Sequence, residues 1–151
     1  MKSTLLAGYA RVAGWLDAAS PLLDLGIRLY VAEVFFRSGL LKIAHWSGTL
    51  YLFENEYHVP LLPPEIAAWF GTFGELAFPP LLVLGLATRF AALSMTFVNL
   101  VAVASYWHVL MKNEAALAQH VFWGTLLLVT LLHGPGKLSL DYGLRRRFFA
   151  A

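Results

Sequence analysis

One run of 22 residues, 115–136, contains no Asp, Glu, Lys or Arg. Wound as an α-helix at about 1.5 Å per residue, it reaches about 33 Å, enough to cross the ~30 Å hydrocarbon core of a bilayer. A second run, 90–111, is equally free of formal charge, and a third, 66–86, holds a single acid, Glu75. A chain of 151 residues has too little interior to hide all three from water. The composition agrees: hydrophobic residues are 59% and charged residues 13%, against ~45–50% and ~25% in soluble domains. Mean hydropathy is +0.65. A disordered chain and an ordinary soluble domain are excluded. So is a nucleic-acid binder, because the net charge is only +2. The chain reads as a single all-α integral membrane domain, residues 1–151, whose main partner is the lipid bilayer.

A fourth span is predicted at about 22–42, although it includes Asp24, Arg28, Glu33, Arg37 and Lys42. Each central charge costs about 2.5–3.5 kcal/mol on insertion scales, so this helix needs partners to cross. With spans at about 22–42, 66–86, 90–111 and 115–133, the expected architecture is a four-transmembrane-helix bundle. Lys2, Arg11, Arg89, Lys137 and the run Arg145–Arg147 lie on one side of that topology. Glu54, Glu56 and Glu65 lie on the other, in a 43–65 loop without Lys or Arg. The positive-inside rule then places both termini in the cytoplasm. The Arg145–Arg147 run is read as a membrane-flanking anchor. Residues 1–19 are expected to be a short interfacial helix rather than a cleaved signal, with Leu5, Tyr9, Val12 and Leu16 at helical spacing. The loop segments Tyr51–Phe53 and Val59–Pro64 are too apolar for plain solvation and are expected to lie on the membrane or cap the bundle.

Ionisable groups at membrane depth are candidates for function because they need partners. Glu33 and Arg37 stand at i, i+4; Asp24, Arg28 and Lys42 lie on roughly the opposite side of the helix, with Asp24 and Lys42 near enough to the ends to snorkel. Glu75 precedes Pro79 and Pro80, which lack the N–H groups that would bond the carbonyls of Glu75 and Leu76; a kink is expected there. Glu75, Glu33 and Arg37 are therefore assigned to one polar pocket suited to proton transfer or quinone chemistry. Asn99, His108, His120 and Arg28 are candidate cofactor contacts. The plainer alternatives stay open: the Glu–Arg pair as helix-to-helix glue, Asn99 as an interhelical hydrogen-bonding residue, and the two histidines as interfacial residues. His45, His58, Glu54 and Glu56 carry metal-donor atoms but lack an HExxH-type spacing, and no metal site is assigned. The chain has no cysteine, which excludes thiol chemistry.

The order of Arg28, Arg37-Ser38-Gly39-Leu40-Leu41-Lys42, Gly74-Glu75-Leu76, Leu84-Gly85-Leu86-Ala87-Thr88-Arg89 and Gly134-Pro135-Gly136-Lys137-Leu138-Ser139-Leu140-Asp141 resembles the DoxX family of small four-helix bacterial inner-membrane proteins. The resemblance covers about Leu22 to Tyr142, with Arg28, Lys42, Glu75, Arg89 and Ser139-Leu140-Asp141 at matching positions. It implies a quinone-linked redox subunit or an accessory of a membrane oxidoreductase, since the family is named for a subunit of a thiosulfate:quinone oxidoreductase. Other members are associated with oxidative-stress defence or with copper and metal-binding peptides. The alternative is therefore a non-catalytic membrane anchor or assembly partner. Either reading implies a protein partner or a homo-oligomer. Ser139 and Asp141 are expected to cap the chain's exit from the last helix.

Overall fold

The computed structural model describes residues 2–148, the side chains of residues 2–5 and 7 excepted. The described residues form α1 (Lys2–Ala44), α2 (Trp46–Asn55), α3 (Pro64–Leu84), α4 (Thr88–Ser105), α5 (Trp107–Leu110), α6 (Glu114–His133) and α7 (Leu140–Phe148). Three of them, α3, α4 and α6, are long and apolar enough to cross a membrane.

α1 departs from expectation. The segments predicted as an interfacial helix and a first span form one helix of 43 residues. The only breaker between them is Pro21, whose missing N–H orphans the carbonyl of Asp17. The Ser20 hydroxyl donates to that carbonyl at 3.0 Å, so the helix passes through. Among the described residues its N-terminal half has no packing partner: Tyr9, Trp15, Leu16, Leu22 and Leu23 are exposed, and a side chain added at Gly8, Gly14 or Gly26 would meet nothing within 4 Å. Leu5, the first member of the expected stripe, falls among the excepted side chains.

The C-terminal half of α1 packs against α3 and α6, while α4 packs against α3 and α6 to complete a four-sided bundle. The core joins Val31, Ala32 and Phe35 of α1 with Leu82, Ala91, Ala92, Met95 and Leu127. Its small residues let backbones approach, as lipid-embedded helices require. A Cβ at Gly39 would lie 2.8 Å from the Leu76 side chain, and one at Gly74 would lie 2.8 Å from Val98 Cγ2. α3 continues through Pro79 and Pro80 as one helix.

The 43–65 connection is no open loop. α2 packs on α1 and α3, and Phe53 joins Ala67 and Ala68 in a second apolar cluster with Trp46, Leu50, Tyr57 and Val59. His58 N–H donates to the Ser105 carbonyl at 2.9 Å, tying the connection to the end of α4. Leu61 remains wholly exposed and has φ +69°.

At the opposite end, α3 closes in a Schellman turn: Leu86 N–H donates to Leu81 C=O at 3.0 Å and Gly85 N–H to Leu82 C=O at 3.2 Å. Gly85 has φ +65°, and a Cβ there would lie 2.5 Å from Arg28 Nη1 and collide with the Ser139 side chain. Gly85→Ala is expected to cost about 2–4 kcal/mol, from left-handed strain plus displacement of both neighbours. Chemical unfolding in detergent micelles checks this; an unchanged midpoint would contradict the geometry.

Candidate functional site

Lys42 sits in the last turn of α1, one turn beyond the close approach of Gly39 to α3. Its ammonium donates to both carboxylate oxygens of Glu75, at 2.6 Å and 2.5 Å, and to Ser38 Oγ at 3.0 Å. The Lys42 and Glu75 side chains are only 19% and 9% exposed. The Thr49 hydroxyl donates to the Lys42 carbonyl at 3.1 Å, so α2 holds the end of α1 in place. Close by, Tyr57 meets Phe53 and Tyr106 edge-on, with ring centroids 4.9 Å and 4.8 Å away. Burial first, then Tyr106, Glu75 and Glu56, pushes the Tyr57 phenol above its ordinary range. It stays protonated at neutral pH and remains a hydrogen-bond donor.

Glu33 and Arg37 do not join this pair. They bond to each other on α1, Arg37 Nη2 to Glu33 Oε1 at 3.1 Å, with side chains 59% and 78% exposed respectively. The reason is helical phase: Arg28, Val31, Ala32, Phe35 and Gly39 turn into the bundle, which points Glu33 and Arg37 outward. The face bearing Lys42 turns inward instead of snorkelling. Glu33 lines an external groove of about 510 Å³ between α1 and α3, with Leu29, Ala32, Phe36, Pro79, Pro80 and Val83 among its walls. The expected three-residue pocket is therefore two separate acid–base pairs on opposite sides of α1.

The four candidate cofactor contacts do not gather either. Asn99 Nδ2 donates to the His120 carbonyl at 3.0 Å, and its Oδ1 lies 2.8 Å from His120 Nδ1, joining α4 to α6. His108 is exposed on α5, its ring 5.1 Å from His58 and 5.6 Å from Tyr106. Arg28 is buried at the α7 end. Its Nη1 donates to the Leu82 carbonyl at 2.8 Å, and its Nη2 donates to the Leu138 carbonyl. Among the described residues no three of His, Asp or Glu are grouped to hold a metal ion.

Asp141 completes that end. Its carboxylate accepts from the amides of Ala87 and Thr88, each at 2.9 Å, and its own amide donates to the Gly85 carbonyl at 2.9 Å. It caps the start of α4, rather than the exit from α6 as expected. Ser139 Oγ accepts from Tyr142 N–H at 3.2 Å and starts α7, an element absent from the sequence reading.

The sequence model of the DoxX family matches residues 23–109, more than half of the chain. The chain belongs to the DoxX family. The match takes in both acid–base pairs, Arg28 and the α3–α4 turn, and ends before His120 and Asp141. A protein of Haemophilus influenzae described as uncharacterized is 34% identical over 125 residues, covering 76% of this chain and 78% of that one. No solved structure matches. Within this DoxX-family chain, sequence reasoning missed Lys42 as the partner of Glu75. The available signal was its spacing from Phe35, Ser38 and Gly39, residues whose size and polarity mark the packed face.

Proposed function

We propose that this DoxX-family membrane protein serves as a quinone-linked subunit or accessory of a membrane oxidoreductase in the bacterial inner membrane. In this reading α1 makes a fourth crossing and both termini are cytoplasmic. The carrying observation is the Glu33–Arg37 pair, 59% and 78% exposed on the outside of the bundle, with Glu33 lining the apolar α1–α3 groove. An ion pair facing hydrocarbon is costly unless something polar covers it. An apolar groove with one carboxylate in its wall, that carboxylate bonded to a neighbouring guanidinium, suits a flat carbonyl headgroup on a greasy tail. A quinone carries electrons and protons between membrane enzymes. Here Arg37 donates hydrogen bonds to a carbonyl and fixes Glu33, and Glu33 takes or gives the proton. Glu75, in the middle of α3 and bound by Lys42, clamps α1 to α3 rather than meeting the headgroup.

A photoreactive quinone analogue, applied to the full chain in nanodiscs, tests this. Labelling is expected on peptides of α1 and α3 around Phe36 and Pro80, and is expected to fall by about tenfold in Arg37→Leu as the charge-assisted bond is lost. Labelling unchanged by Arg37→Leu, or located elsewhere, would sink the assignment.

A second reading, a membrane anchor or assembly partner, is favoured by the wholly exposed Leu61 beside exposed Leu62. It predicts that loop substitutions there release a stoichiometric protein partner, while Arg37→Leu leaves the partner bound.

A further inference from the structure

We propose that α7 is a binding surface for anionic phospholipid headgroups, lying in the membrane plane at the end of the bundle. Its start is fixed there by Asp141, which bonds the α3–α4 turn through its amide and its carboxylate. That turn ends one span and begins the next, so α7 leaves the bundle at the depth where hydrocarbon meets headgroups. Leu140, Leu144 and Phe148 recur every four residues and form one exposed stripe. Arg145 and Arg147 fall on either side of this stripe, and Arg146 lies roughly opposite, its guanidinium 6.0 Å from the Tyr142 ring. An in-plane helix needs this arrangement: apolar residues enter the acyl boundary while flanking cations reach headgroup phosphates.

Charge complementarity selects the occupant. The three arginines are exposed and, among the described residues, form no ion pair. Arginine forks match phosphate oxygens, and anionic lipid attracts each such cation near the surface. Cations in a last turn also suit the helix dipole, but that effect does not depend on lipid charge.

The test is hydrogen exchange of the residue 140–148 amides in the full chain, held in nanodiscs of neutral phosphatidylcholine or of phosphatidylcholine with about 30% phosphatidylglycerol. Exchange is expected to slow in the anionic discs by roughly fivefold per arginine engaged, and the difference is expected to vanish in Arg145→Gln/Arg147→Gln. Arg145→Lys/Arg147→Lys keeps the charge and is expected to retain most of the protection, which separates lipid binding from misfolding of the variant. Equal exchange in the two compositions, or anionic protection that survives the glutamine substitutions, would overturn the proposal. The outcome is independent of the quinone reading.

Discussion

Lys42→Met is expected to destabilise the folded bundle by about 3–5 kcal/mol, because it leaves the Glu75 carboxylate buried without its cation. Lys42 supplies both close bonds to that carboxylate, and Glu75 lies in the middle of α3 where water has little access. Glu75→Gln alone strands the ammonium, though Ser38 and the length of the lysine stem soften the loss. Lys42→Met/Glu75→Gln removes both charges and is expected to recover to within about 1–2 kcal/mol of the parent, as neutral replacements of buried pairs generally do. Unfolding of the four proteins in one detergent, followed by tryptophan fluorescence, gives the coupling directly. Additive costs would mean that the pair is not the clamp described here.

Arg28→Leu is expected to be as damaging, at about 3–5 kcal/mol, for a different reason. The guanidinium bonds the carbonyls of Leu82 and Leu138, one at the end of α3 and one between α6 and α7. Removing it leaves the Leu82 carbonyl with only the Gly85 amide at 3.2 Å, strips the part-buried Leu138 carbonyl of its guanidinium donor, and opens a space the size of its fork. Arg28→Lys keeps the charge but cannot span both carbonyls, so an intermediate loss is expected. Local opening provides a second readout. Exchange at the amides of Ala87 and Thr88, capped by Asp141, is expected to quicken before the rest of α4. Uniform quickening along α4 would instead place Arg28 in the global core.

The three long apolar helices are legible in the sequence because lipid tolerates few charges. The span expected at 115–133 is helical from Glu114 to His133, the one expected at 66–86 runs from Pro64 to Leu84, and the one expected at 90–111 is divided, with α4 ending at Ser105 and α5 taking Trp107–Leu110. What the charge pattern does not decide is the rotation of α1. Glu33 and Arg37 on one side, and Arg28 and Lys42 on the other, give each face an equal claim to be inside. The choice falls to residues without charge: Ala32 and Gly39 are small enough for α3 to close in, and they carry Arg28 and Lys42 inward with them. The continuity of α1 is hidden for a similar reason, since Pro21 looks like an end until Ser20 is seen on the orphaned carbonyl. α7 escapes because nine residues rich in arginine show no core-facing pattern, and only Ser139 and Asp141 hold its start.

Because α1 does not break, it behaves as a lever whose fulcrum is the bundle. Its 43 residues make a rod of about 65 Å, of which about half has no neighbour among the described residues. Clamped at one end by the ammonium of Lys42 and near its middle by Arg28, the rod converts small tilts into large excursions. A tilt of about 10° displaces the free tip by about 5 Å, more than the width of a water molecule, while the clamped end moves far less.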